Sequence, residues 1–150
     1  MECIISKLLP DDTDKLKQLL LVYNGVFAWQ DFVLPSDAYL QKMLNNPQHL
    51  VFVALLNNTV IGGFTAYILP EFETENSLVY IYDLAVSTTY QRQGIGQQLI
   101  QGIRSYCSHQ TSLIELFVQA DEKDDYAVDF YRKTGGSEMK VRQLSYFLNL

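Results

Sequence analysis

The chain has 150 residues, 48% apolar, 13% aromatic and 19% charged, which is the composition of one soluble globular domain with an aromatic-rich core and excludes two full-sized domains. A chain of this length can bury roughly 70% of its unfolded surface, so neither a metal nor a disulfide is needed to hold it together. Asp+Glu 17 against Lys+Arg 11 gives a formal net charge of −6, opposite to the footprint of a nucleic-acid binder.

Two cysteines, Cys3 and Cys107, are too few for a disulfide scaffold and fit a reducing compartment. Met1–Pro10 lacks a basic-then-apolar signal segment, and no apolar run approaches the ~20 residues that cross a bilayer. A cytoplasmic location without membrane contact is expected. No repeat, low-complexity tract or linker interrupts the chain, so residues 1–150 are read as a single domain.

In chain order, Glu2–Leu9 reads as a strand ended by Pro10. Asp11 or Asp12 can cap a helix carrying Leu16, Leu19, Leu20 and Tyr23 at helical spacing. A second helix runs from about Ser36, with Tyr39, Leu40, Met43 and Leu44 on one face, until Asn45, Asn46 and Pro47 stop it. Leu50–Leu56 and Val60–Leu69 form a hairpin across Asn57-Asn58, and Leu78–Val86 adds a third strand. The stripe Ile95, Leu99, Ile100, Ile103 and Tyr106 predicts the next helix. Leu113–Ala120 reads as a strand, Asp125–Thr134 as a short helix ended by Gly135-Gly136, and Val141–Leu148 as a final strand. The order β-α-α-β-β-β-α-β-α-β gives an α+β class with a mixed sheet.

Tyr80–Ile100 passes from strand through a polar turn into a helix, with Gln91-Arg92-Gln93-Gly94-Ile95-Gly96 at the junction. Glycines there leave first-turn N–H groups uncovered, so a phosphate can approach the positive end of the helix dipole, and Arg92 adds a formal charge. The bare G-x-G is weak evidence, since most such pairs only permit a turn or close packing. No G-x-x-x-x-G-K-[ST] is present, and Leu99 occupies the place of the third glycine of a dinucleotide fingerprint.

Asp83 departs from the strand pattern: alternation puts it on the face of Val79, Ile81 and Ala85, where an apolar side chain is expected. Burial there would raise its pKa toward the working pH and suit a general base. The alternatives are a carboxylate accepting hydrogen bonds from turn N–H groups, or one that only binds a cation. Neither cysteine lies beside a His and base constellation, and His49 and His109 are isolated from other ligands, so no metal and no covalent nucleophile is assigned.

The junction after Leu84-Ala85-Val86 resembles the acyl-coenzyme A signature Q/R-x-x-G-x-G/A of the GNAT N-acetyltransferases, and Asp129-Phe130-Tyr131-Arg132-Lys133-Thr134-Gly135-Gly136 is similar to their late aromatic segment. Tyr67–Glu73, Tyr80–Ser87 and Val118–Asp121 with Asp124-Asp125 further resemble aminoglycoside 3-N-acetyltransferases of the gentamicin-modifying type. The resemblance spans about Tyr67 to Gly135; the first sixty residues carry no matching motif.

The resemblance implies a mixed, centrally splayed β-sheet flanked by helices, and acetyl-CoA as co-substrate held by Leu84, Ala85, Val86, Gln91, Arg92, Gln93, Gly94, Ile95, Gly96, Gln97 and Tyr131. It implies direct transfer of acetyl to the 3-amino group of an aminoglycoside, an antibiotic-resistance activity, with Asp83 as base or ammonium contact. Tyr131 would protonate the departing thiolate; without the family it reads as a core tyrosine beside Phe130. Backbone N–H groups along Leu84–Val86 would face the thioester oxygen. Glu71, Glu73, Tyr82, Asp83, Asp121, Asp124 and Asp125 are the candidate contacts for a cationic sugar, although each acid alone reads as a solvated loop residue. The fold is expected to gather these loops at the C-terminal side of the sheet. A homodimer is a further expectation. The rivals are an acetyltransferase for a polyamine, another small amine or a protein N-terminus, and a catalytically silent acyl-CoA-binding module.

Overall fold

The computed structural model describes residues 2–149. They fall into two compact units, one ending at Gln119 and one starting at Ala120. The first unit holds a five-stranded sheet in the order β1-β2-β3-β4-β5, formed by β1 (Ile4–Lys7), β2 (His49–Leu56), β3 (Thr59–Pro70), β4 (Ser77–Val86) and β5 (Leu113–Val118). Its helices are α1 (Thr13–Phe27), α2 (Asp37–Asn45) and α3 (Ile95–Ser108). The second unit contains α4 (Asp125–Lys133). β1 to β4 pair antiparallel and β4–β5 parallel, so the architecture is the mixed α+β sheet that the element order implied.

Local chemistry accounts for the element ends. Ser36 Oγ accepts from Tyr39 N at 3.2 Å and caps α2. Asp12 precedes α1, but its carboxylate takes Leu9 N at 2.7 Å and Lys15 Nζ at 2.9 Å instead of a first-turn N–H. That turn, closed by Asp12 N on Leu9 O, ends β1 ahead of Pro10 and makes it shorter than the expected Glu2–Leu9. Asn57 (φ 48°) and Asn58 (φ 63°) take the left-handed conformations that a two-residue hairpin turn requires.

The two faces of the sheet are covered differently. Val51, Val53 and Ala85 pack with Leu16, Leu19, Tyr23 and Leu40 of α1 and α2. On the opposite face Phe52 stacks on Phe64 with centroids 5.0 Å apart and meets Tyr106 of α3 at 5.7 Å, and the α3 stripe of Ile95, Leu99 and Ile103 is buried as its period predicts. Gly63 permits the approach of α1 to the sheet: a Cβ there would strike the Phe52 carbonyl oxygen and lie 2.8 Å from Leu19 Cδ1.

One expected element is missing. Among the described residues Val141–Leu148 forms no strand, and the sheet ends with β5. The alternation of Leu144, Tyr146 and Leu148 describes a segment able to line a sheet, but a strand exists only where a partner edge completes its ladder, and sequence alternation does not supply one. Likewise β5 stops at Val118, where its pairing with β4 stops, rather than at Ala120.

Gly63→Ala should therefore destabilise the protein by about 1–3 kcal/mol through overpacking. Gly25→Ala, in α1 with nothing within 4 Å of the added carbon, should stabilise it by about 0.5–1 kcal/mol. Urea midpoints of the two variants against the parent check both signs.

Candidate active site

The site is assembled on β4. Its pairing with β3 runs Phe64↔Leu84, Thr65↔Asp83 and then Ala66↔Ile81, so Tyr82 is an extra residue without a partner. Such a bulge reverses which face the following residues occupy. Val79 and Ile81 pair with Ile68 and Ala66, on the Phe64 side of the sheet, whereas Asp83 pairs with Thr65 and shares the α1/α2 face with Ala85. Asp83 is thus on the opposite face from Val79 and Ile81, which corrects the simple alternation of the sequence reading. Only Ala85 was placed correctly beside it.

Re-aimed in this way, Asp83 enters a cavity of about 190 Å³ between the sheet and α1/α2. Tyr82, Tyr67, Tyr39 and His49 line it, with Tyr23, Thr65 and Met43. The rings form a connected wall: Tyr67 lies 5.8 Å from Tyr82 and 5.2 Å from His49, both edge-on. Burial pushes the Asp83 carboxyl above its ordinary value. It makes no ion pair with any described residue. Burial, with the neighbouring Tyr82 phenol second, also raises Tyr67 and Tyr80, so both phenols keep their protons at neutral pH. Tyr23 Oη, fully buried, donates toward the Asp83 carbonyl oxygen at 3.2 Å and lies 3.4 Å from Thr65 Oγ1, holding the two strands beside the bulge.

The other edge of β4 behaves differently along its length. It pairs with β5 over Ser77–Ile81, up to Ile81↔Val118, and then continues as Tyr82–Val86 with no strand beside it among the described residues. The Asp83 and Val86 carbonyl oxygens there accept from Tyr23 Oη and Gln91 Nε2, while N–H groups directed away from β3 have no neighbouring strand to bond. Beyond Val86, a single 3-10 turn (Thr88–Tyr90) leads to Gly94, which stands at the start of α3 with φ 81°. Arg92 is also left-handed, at φ 64°. The first α3 bond is Gln98 N to Gly94 O and no side chain caps the helix, so the N–H groups just before Gln98 lack intrahelical acceptors. A Cβ on Gly94 would meet nothing within 4 Å. Gln91 has a local task, its Nε2 donating to Val86 O at 2.9 Å and tying the turn to the strand end; Gln93 Nε2 is 3.4 Å from Thr89 O. Ile95 is buried in the core, leaving its backbone as its means of contact.

Within the first unit Glu71 and Glu73 are not gathered with Asp83. Glu71 and Glu73 lie on the β3–β4 turn, at the N-terminal end of β4, where Glu71 accepts from Thr74 Oγ1 at 2.6 Å. From Tyr67 to Glu71 is about 13 Å along an extended strand. In the second unit Asp124 accepts from Ala127 N at 3.0 Å and caps α4, Asp121 accepts from Lys123 N at 2.9 Å, and Asp125 sits in the first turn. Tyr131 is a half-buried residue of α4 with its ring 5.0 Å from Phe130. Sequence reasoning missed His49, Tyr39 and Tyr67 as pocket residues. His49 had been weighed only as a metal ligand, and among the described residues no group of three or more His, Cys, Asp or Glu is placed to hold a metal ion. Both thiols are pushed up by burial, which makes them poor nucleophiles. No described helix is long and apolar enough to cross a membrane.

Residues 15–136 match the acetyltransferase (GNAT) family. The chain belongs to that family, whose members use acetyl-CoA. It is similar over 98% of its length to the aminoglycoside acetyltransferase meta-AAC0020 from an uncultured soil metagenomic sample, crystallised with sisomicin, at 42% identity and a TM-score of 0.94 over 97% of that chain. The aminoglycoside acetyltransferase HMB0005, also from an uncultured soil metagenomic sample, is 28% identical, with a TM-score of 0.90 over 98% of this chain and 99% of that one. Histone acetyltransferase GCN5 of Debaryomyces hansenii is 27% identical over 128 residues, 83% of this chain. The chain spans about a quarter of that curated relative's length, 26%.

The raised Asp83 carboxyl gives a signed prediction. With its folded pKa above the unfolded value, the folded state holds the proton longer, so stability falls as pH rises through the ordinary carboxylate range to the folded pKa. Asp83→Asn removes that cost: its Tm should exceed the parent's at pH 8, and the difference should vanish near pH 3.5. Thermal melts across that range check the trend.

Proposed function

We propose that this protein transfers the acetyl group of acetyl-CoA to an amino group of an aminoglycoside, at the 3-amino position. The observation that carries the reading is the placement of one acid: Asp83 sits in an aromatic pocket at the point where β4 loses its β5 partner. A polycationic acceptor on one face of β4 therefore meets a thioester lying along its free edge. Similarity to two aminoglycoside acetyltransferases supports the choice of acceptor class.

The pyrophosphate of acetyl-CoA is held at the start of α3 by the N–H groups following Gly94, with Arg92 supplying charge. Gln93, Gly96 and Gln97 belong to the same first-turn cradle, and Gln91 fixes its approach. The pantetheine arm pairs with the β4 edge at Leu84–Val86, where a backbone N–H faces the thioester oxygen and stabilises the oxyanion. Asp83, directly or through water, takes a proton from the acceptor ammonium, and the neutral amine attacks the carbonyl carbon. The C–S bond breaks and the thiolate takes a proton from Tyr131, in the role that the resemblance implies for it; the second proton shed by the nitrogen as the amide forms restores the phenol, Asp83 passes its proton to solvent, and the products are the amide and free CoA. The tyrosine wall of the pocket receives the ammonium groups by cation–π contact. Glu71 and Glu73 serve the outlying amines of a long acceptor. The product amide lacks the charge of the parent amine, a change that weakens binding to ribosomal RNA.

The test follows thiol release from acetyl-CoA with a panel of aminoglycosides, polyamines and peptides, with NMR of the product to locate the acetyl group. Aminoglycosides should be consumed, with acetylation at N3. Asp83→Asn should lower kcat at pH 7 at least about 100-fold with little change in the KM of acetyl-CoA, and Tyr131→Phe should lower it about tenfold. Turnover of polyamines or peptides alone would refute the acceptor assignment.

A further inference from the structure

His49 opens β2 directly across the pocket wall from Tyr67. Its Nδ1 lies 2.8 Å from the Met43 carbonyl oxygen in α2. A carbonyl only accepts, so Nδ1 carries the proton, and a neutral ring then presents Nε2 as an acceptor. The Tyr67 ring, edge-on at 5.2 Å, fixes the plane of the imidazole. Among the described residues nothing hydrogen-bonds to Nε2, although His49 lines the cavity. A half-buried ring is thus locked in one tautomer and one orientation, with its remaining nitrogen unused.

The distance to Asp83 gives this nitrogen a purpose. His49 pairs with Tyr67 and Asp83 with Thr65, so the two residues stand two strands and two residues apart, with Cα atoms roughly 12 Å from each other. The Tyr67 ring packs against both the imidazole and Tyr82, so the two polar groups mark opposite ends of the aromatic wall, and their Cα separation is of the order of the span of two linked sugar rings. We propose that His49 Nε2 forms a second acceptor subsite, receiving a hydrogen bond from an ammonium or hydroxyl group one ring away from the amine at Asp83. The inference rests on the aminoglycoside reading and deepens it: it selects acceptors with a donor on a neighbouring ring over acceptors of a single ring.

The experiment compares kcat/KM for a three-ring aminoglycoside and for 2-deoxystreptamine alone. His49→Phe keeps the ring and removes Nε2; it should lower kcat/KM for the three-ring acceptor about tenfold, through KM, and leave 2-deoxystreptamine and the acetyl-CoA KM within about twofold. His49→Asn, which retains a donor near the Nδ1 position and has no acceptor at the Nε2 position, should behave in the same way, so one misfolded variant does not decide the result. His49→Gln, whose amide oxygen reaches the Nε2 position, should restore most of the lost affinity. Equal losses on both acceptors, or no loss on the longer one, would overturn the subsite while leaving the acetyltransferase reading standing. A parent protein inactive on both acceptors would overturn the two together.

Discussion

The site depends on one unpaired residue in β4. Tyr82 has no partner in β3, and the half-turn it introduces sends Asp83 to the opposite face from Ile81. In an unbulged strand the carboxylate would point between the sheet and α3, among Phe64, Leu99 and Ile103, all fully buried apolar side chains. A charge there would find no counterion and would titrate to its neutral form or unfold the region. With the bulge it enters a cavity that is half open, where burial raises its proton affinity without forbidding ionisation. The same residue, moved by one position of register, changes from a structural fault into an ionisable group facing a cavity.

The bulge is held in place from the α1 side. Tyr23, packed beneath it, uses its hydroxyl on the Asp83 carbonyl oxygen and Thr65, and Gly63 lets α1 come close enough for that contact by leaving room for Leu19. The close packing of α1 and the position of the acid are therefore one arrangement. The parting of β4 from β5 lies at the same height, since Ile81↔Val118 is the last parallel pair and Tyr82 is the next residue. A strand that bulges there aims a carboxylate to one face and frees its edge within the same few residues.

These relations explain what was legible in the sequence. Elements governed by neighbours along the chain were legible: the helix start near Ser36, the Asn57-Asn58 turn, the α3 stripe and the Gly94 junction each follow from residues within one or two turns. Asp83 was legible as an anomaly, because an acid in an apolar strand needs a reason, but its face was not, since a bulge is a property of two paired strands and leaves no mark in the alternation of one. His49, Tyr39 and Tyr67 come from three elements and meet only when α2 lies over the hairpin, so no spacing announces them. Val141–Leu148 illustrates the converse: its alternation is real, yet the ladder that makes a strand requires an edge that sequence does not provide.

Charge and shape divide the remaining work. A net charge of −6 acts at a range of about a Debye length and attracts any cation without preference. It raises encounter rates but cannot distinguish a sugar amine from a polyamine. Discrimination has to come from contacts that are dry, oriented and few; for the acceptor proposed above, the pocket offers ring faces, one raised carboxyl and one imidazole nitrogen fixed by a carbonyl. Neutral aromatic walls also keep Asp83 from acquiring a permanent cationic partner of the protein's own. A salt bridge with a lysine or arginine would lower the Asp83 pKa and occupy its oxygens, and the acid would then neither attract the ammonium nor accept its proton. Among the described residues no lysine or arginine lines the pocket, which suits Asp83 to the cationic acceptor proposed above.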